Sequence, residues 1–431
     1  MLAGGAFKSV VIVSPYFPPS TLAGVHRARH LAKHLPASGW RPIVLCVDES
    51  NHTERLDPAL AALVPDEVEI EKVGAIPAKL TRLAGVGDIS LRAWSYLKAG
   101  LKRLLDTGCV DVALITGSPF YPMMLAPDIK RRYGTPIVLD FQDPWVSNWG
   151  SSNSPFSKSG IAHRLATLLE PRALRYADFV TSVSDVQNEQ MRLRYPWLDA
   201  SRMAAIPIGG DAEDFAALRD EQRNKAATPG LVELSYVGTV LPRSGPLFTS
   251  LLRAYARLRS ANPILASKIR LNFVGTSNQP NDNATLRILP LAETLGVADA
   301  VNEIPNRVPY LEALGWLARS NGLLLVGSDE PHYTASKIYP ALMSGRPFLS
   351  IFHRVSSAHE ILSASGGGRA IAFDNVADLP ALEAQIADAL ALLASSSRAL
   401  GRADPSIYRA FEAKSIAARF ANIFTELSLQ S

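Results

Sequence analysis

Short β-branched runs recur along this chain, each followed by a longer stretch whose apolar residues keep helical spacing. The first six are KSVVIVS, PIVLCV, VEIEKV, VALITG, PIVLDF and DFVTSVS, with helical patterns such as Val25 to Leu35 and Leu91 to Leu105 between them. Neighbouring parallel strands need a crossover between them, most often a helix, so this order predicts a parallel sheet covered on both faces. After a charged stretch closed by Pro-Gly, the order restarts with LVELSYVG, IRLNFVG, GLLLVGS, PFLSIF and AIAF. The prediction is an α/β protein of two Rossmann-like, doubly wound parallel-sheet domains facing each other across a cleft. The expected extents are 1–211 for the first domain, 212–231 for a linker and 232–405 for the second. A helical segment, 406–431, is expected to pack back across the junction. A length of 431 residues suits two cores better than one.

Charge and cysteine content narrow the function classes. The net charge of +4 is too mild to call for nucleic acid, and it arises within residues 1–210, which hold 23 Lys+Arg against 19 Asp+Glu. Cys46 and Cys109 stand far apart and make no CxxC pair, which argues against a disulfide scaffold and fits a reducing compartment. The first apolar run is too short for the core of a signal peptide, and none approaches the ~20 residues of a membrane span. A cytoplasmic location is expected. The Leu91–Leu105 stretch sets leucines beside Arg92, Lys98, Lys102 and Arg103, a pattern that suits peripheral contact with the inner face of an anionic membrane.

Ligands of doubly wound sheets bind at the carboxyl ends of the strands, so chemistry is sought there. Behind the first strand, SPYFPPSTLAGVHR places Gly24 just ahead of a helix whose free N–H groups suit an anion. His26, His30 and His34 share a face of that helix, but Arg27, Arg29 and Lys33 crowd them with positive charge and no acidic ligand is near. A basic face is expected there, with His26 and Arg27 on the acceptor side and no metal. PIVLDF ends in QDPW, which puts Asp143 at a strand terminus to orient a substrate hydroxyl, with Trp145 as a platform. YVGTVLPRSGP offers Gly238, Thr239, Arg243, Ser244 and Gly245 as a diphosphate cradle. No GxGxxG follows a strand and no DxD occurs, which disfavours a nicotinamide domain and a carboxylate-held divalent ion. In YTASKIYPALMSGRP, Pro340 suits only the first turn of a helix, so Ser336 and Lys337 fall on the loop just before it.

Five of these segments, in this order, resemble the GT-B glycosyltransferases of the family 4 type. PYFPPSTLAGVHR is similar to that family's first acceptor-side loop, and IPIGGDAEDF to its interdomain segment. YVGTVLPRSG is similar to its phosphate loop, NRVPYLEALGWLARSNGLLLVGS to the segment that cups the donor base, and SKIYPALMSGRP to its SK-type motif. The resemblance implies a nucleotide-sugar donor as co-substrate, retention of configuration, no metal, and an acceptor that is often a lipid-linked or glycan species at the membrane surface. Gly24 then admits the donor diphosphate or acceptor, and Arg307 and Val308 meet the base. Arg243 and Lys337 face the phosphates, as the catalytic cations. Ser244 stands where the family has a phosphate-loop lysine, and Thr239 where it has an arginine. The family's paired glutamates fall at His332 and Pro340, and Glu330 is the candidate stand-in.

Overall fold

The computed structural model describes residues 7–83, 85–147, 154, 156–223, 230–277, 279, 283–331 and 336–430. The chain forms two compact units, one of residues 1–208 with 413–431, the other of residues 209–412.

The first unit holds a parallel sheet of strands β1 (Lys8–Val13), β2 (Trp40–Val47), β3 (Glu69–Val73), β4 (Val112–Gly117), β5 (Ile137–Phe141), β6 (Phe179–Ser182) and β7 (Met203–Ala205). Their spatial order is β3-β2-β1-β4-β5-β6-β7. The central strands are buried on both faces, which explains why they read as continuous apolar runs. Successive side chains alternate between two cores. Val10, Ile12 and Leu114 pack under the helices Val25–His34 and Ala413–Leu429, while Val11, Val13 and Ile115 pack under Trp94–Asp106 and Ala126–Tyr133.

The second unit holds β8 (Val232–Val237), β9 (Ile269–Val274), β10 (Val301–Ile304), β11 (Gly322–Val326), β12 (Phe348–His353) and β13 (Gly368–Phe373), in the order β10-β9-β8-β11-β12-β13, all parallel. One face packs on the helices Gly245–Ala261 and Leu379–Ser396, the other on Tyr310–Arg319, Ile338–Met343 and Ser357–Ser365.

Three boundaries differ from expectation. The stretch 212–223 belongs to the second unit: it forms a 3-10 turn, Ala212–Ala217, whose buried Asp214 accepts the Tyr310 hydroxyl at 2.8 Å. A charged composition there caps turns and holds a helix where the linker was expected; residues 224–229 lie outside the described residues. The last helix starts at Ala413, since Pro405–Tyr408 and Arg409–Phe411 turn separately and stay with the second unit. The Leu91–Leu105 stretch divides at Ala93 into Ile89–Arg92, N-capped by Asp88, and Trp94–Asp106.

Pro340 is the third residue of the helix Ile338–Met343, within the first turn, where a missing N–H costs little. The chain turns out of this helix at Gly345, φ +67°.

Candidate functional site

In each sheet the order of connection reverses once, between β1 and β4 in the first and between β8 and β11 in the second. The loops leaving the strands at these switch points hold most of the residues singled out from the sequence.

On the first unit, Gly24, the Gly117–Ser118 turn and Gln142 meet behind β1, β4 and β5. A Cβ on Gly24 would stand 3.2 Å from the Ser118 carbonyl oxygen, a tight contact that favours glycine here. Gln142, missed from the sequence, is buried. Its Nε2 donates to the Gly24 carbonyl at 3.2 Å and to Thr116 Oγ1 at 2.6 Å, and its Oε1 has no described partner. Asp143 follows it and is exposed, and no described residue hydrogen-bonds or ion-pairs with its carboxylate. The surrounding protein desolvates that group and raises its pKa. Trp145 stacks on Phe120 at 5.5 Å with the rings 11° apart, and Tyr121 meets its edge at 6.1 Å.

Arg27 is not an acceptor-side residue. It is 1% exposed: its Nε lies 3.1 Å from Asp140 Oδ2, its two terminal nitrogens donate to the Pro207 and Ile206 carbonyls, and its guanidinium lies over the Phe420 ring. Asp140 also accepts Thr116 Oγ1 at 2.9 Å and Thr181 Oγ1 at 2.8 Å. The ion pair is fully enclosed and holds the sheet to its covering helices. His26 is half-buried beside His30, and Arg29 reaches both rings, at 3.4 Å from His26 Nδ1 and 2.9 Å from His30 Nε2. A guanidinium thus sits where a shared cation would have to bind.

On the second unit, β8 is followed by Gly238, whose φ of +138° only glycine adopts readily. The open space beside it is taken by Lys337, whose Nζ would stand 3.5 Å from a Cβ at that position. Lys337 caps the helix Ile338–Met343, donates to the Tyr236 hydroxyl, and sets its ammonium 4.4 Å above the Tyr236 ring. Tyr236 in turn donates to the Thr239 carbonyl at 2.8 Å and packs against Phe248 and Phe273. No described carboxylate pairs with Lys337, and burial pushes its pKa from 10.5 down to about 7. Ser336, just before it, is exposed.

The neighbouring loop is clamped to the end of β11. Arg243 pairs with Asp329 at 2.6 Å and Glu330 at 3.1 Å, its side chain 60% exposed. Glu330, the candidate stand-in for the first of the paired glutamates, is therefore engaged by Arg243. Ser244 corrects another expectation: it is buried, and its hydroxyl donates to the Gly327 carbonyl at 2.7 Å, so it fastens the loop and has nothing left to offer a phosphate. Arg307 is exposed and Val308 half-buried, both just beyond β10 and before the helix Tyr310–Arg319. His332 lies outside the described residues. Tyr236 and Asp329 were missed; the only sequence sign of Tyr236 was its place two residues before Gly238.

The basic stripe of the Trp94–Asp106 helix is neutralised. Lys98 pairs with Asp128, Lys102 with Asp106 and Arg103 with Glu71, each at 2.5 Å, while Arg92 is buried and donates to the Ile76 and Asn51 carbonyls. No helix among the described residues is long and apolar enough to cross a membrane.

Residues 23–209 match the family described as glycosyl transferase 4-like domain. D-inositol 3-phosphate glycosyltransferase of Actinosynnema mirum is 27% identical over 179 residues, 41% of this chain and 41% of that one. The matched segment thus spans about two fifths of that curated relative. Among solved structures, Anabaena HepE in complex with UDP-glucose covers 97% of this chain and 99% of its own at TM-score 0.59 and 16% identity. Sucrose-phosphate synthase from Thermosynechococcus elongatus covers 98% and 100%, at TM-score 0.62 and 16% identity. Residues 23–209 are thus similar to a glycosyl transferase 4-like domain, and the chain, with its two parallel-sheet α/β units, has the fold class of the GT-B glycosyltransferases.

Proposed function

We propose that this chain moves a sugar from a nucleoside-diphosphate donor to a hydroxyl acceptor. The observation that carries the reading is Lys337: a desolvated ammonium at the switch point of the second sheet, with no described carboxylate beside it. A half-buried, desolvated cation without a counter-ion is costly unless a ligand supplies the charge, and a diphosphate does so. The glycine turn at Gly238 lets Lys337 lie against the end of the strand, and Arg243 is exposed near the same strand ends. These cations stabilise the negative charge that grows on the leaving diphosphate. Asp143, unpaired among the described residues on the first unit, orients the acceptor hydroxyl.

Retention of configuration without a metal is part of the reading. It is supported by the family resemblance and by a sequence without DxD. The acceptor we propose is a lipid-linked or glycan species of polysaccharide or glycolipid assembly, met at a membrane surface. A second reading is favoured by the proline at position 340 and by the engagement of Arg243 and Ser244 within the protein: a subunit that binds a nucleotide sugar without turning it over.

Thermal unfolding against UDP, GDP, dTDP, ADP and CDP, with and without Mg²⁺, tests both. One nucleotide is expected to raise the midpoint, since a ligand at 100 times its Kd adds about 2.7 kcal/mol. That response is expected to vanish in Lys337→Ala. Silence from all five would remove the donor reading, whereas binding without transfer to any acceptor would favour the non-catalytic one.

A further inference from the structure

The cations expected to meet a membrane are spent in ion pairs, yet the same unit carries another surface that is both apolar and positively charged. It is built from two segments at the carboxyl ends of β3 and β5. In the first, the helix Ala78–Leu83 buries none of its residues, and Leu80 and Leu83 stand in solvent, Leu83 at 88% exposure. In the second, Phe156 is 85% exposed, and the helix Lys158–Leu174 shows Ile161, Leu165 and Leu168 to solvent. Those three lie at spacings of four and three, hence on one helical face.

The two segments are linked through one turn of the unit. Ile76 is tied to Arg92 by N–H···O bonds in both directions, at 3.0 and 3.1 Å. The helix Ile89–Arg92 that contains Arg92 packs on the turn Tyr121–Leu125, and the helix Lys158–Leu174 packs on the same turn. Leu91, also exposed, lies between the two groups along this path.

Charge follows the same division. Residues 74–87 and 154–169 contain no aspartate or glutamate. Their cations Lys79, Arg82, Lys158 and Arg164 are all exposed, and none is ion-paired among the described residues; Arg164 lies 5.7 Å over the Phe156 ring. Soluble proteins leave single apolar side chains in water freely, but a run of them interleaved with unopposed cations suits one environment above others. An anionic bilayer takes the leucines and phenylalanine into its interface and pairs the cations with lipid phosphates.

We propose that the Ala78–Leu83 helix and the Phe156–Leu168 segment form the surface by which this protein docks on an anionic phospholipid bilayer. The proposal rests on the reading of a membrane-associated acceptor, and it moves the contact off the Trp94–Asp106 helix. Docking here presents the carboxyl edge of the first sheet, with Asp143 and Trp145, to whatever the bilayer offers.

Flotation of the full chain tests it, with vesicles of phosphatidylcholine alone or mixed with phosphatidylglycerol, at low and high salt. The protein is expected to float with the mixed vesicles at low salt and to be released by high salt. Leu80→Glu/Leu83→Glu and Ile161→Glu/Leu168→Glu are each expected to weaken partitioning at least tenfold, while Lys98→Gln/Lys102→Gln leaves it unchanged. The nucleotide-dependent midpoint of each variant, read in solution, shows whether the fold and the donor site survive. Normal flotation by both glutamate variants would overturn the proposal. So would absence of flotation, or sedimentation showing that the leucines are covered by a second copy of the chain. A variant that loses flotation but keeps its nucleotide response supports the surface; loss of the nucleotide response in the unaltered chain breaks the donor reading alone.

Discussion

Arg27 and Lys337 are both cations drawn out of water, one in each unit, and they are solved in opposite ways. Arg27 has a carboxylate, two carbonyls and an aromatic face, so every donor direction that matters is met. Lys337 has a phenol and a ring, neutral groups that orient the ammonium without cancelling its charge. A cation with a full set of partners is part of the frame; one held in place without a counter-charge is a cost carried by the fold for something that binds. Arg27 is enclosed and Lys337 half-buried, but it is the partners that set them apart.

The comparison breaks most visibly at Asp140. Asp140→Ala strands Arg27 in the core and is expected to cost about 3–5 kcal/mol in urea unfolding. A loss under 1 kcal/mol would mean that the Arg27 pair is no framework. Removing the other cation should do the reverse. Lys337→Met is expected to raise stability at neutral pH by about 1 kcal/mol or more, because it deletes an uncompensated charge. The pH dependence sharpens this. The folded value of about 7 lies below the ordinary 10.5, so between these limits the unfolded chain holds more protons. Wild-type stability at Lys337 therefore rises from pH 7 toward 10.5, and the full penalty is present below 7. The difference between wild type and Lys337→Met is expected to shrink over that window; a difference that stays constant would deny that Lys337 titrates there. The smallest effect is at Tyr236. Tyr236→Phe keeps the ring and the packing on Phe248 but loses the hydroxyl that receives Lys337. A fall in nucleotide affinity of about fivefold, near 1 kcal/mol, is expected by calorimetry, with the unfolding midpoint little changed.

The sheets were legible because parallel strands buried on both faces must be apolar throughout, as in VVIV and LLLV. β7 and β10 escaped notice for the same reason in reverse: Met203–Ala205 is a three-residue edge strand, and VNEI is a four-residue edge strand with two polar residues at its centre. Glycines and prolines at strand ends gave the positions of Gly24, Gly238 and Lys337, since backbone constraints are written locally. Partnerships were not. Arg27 meets Asp140 across 113 residues, and Ser244 meets Gly327 across 83, so no spacing in the sequence distinguishes a ligand-facing side chain from a committed one. The charged face of the Leu91–Leu105 stretch misled similarly: the pattern of cations was right, and the acids opposite them came from two other elements, Glu71 on β3 and Asp128 on the helix Ala126–Tyr133.

The helix Ala413–Leu429 gives the order of synthesis a physical meaning. It supplies Ile416, Ala417, Phe420 and Phe424 to the core over Val10, Ile12 and Leu31, residues made at the opposite end of the chain. A ribosome that has finished β7 must therefore translate the whole second unit before the first can close. At roughly 5–20 residues per second that leaves an apolar face of the first sheet unclad for on the order of tens of seconds. The second unit, continuous from residue 209 to 412, carries no such debt and can be complete while the first still waits.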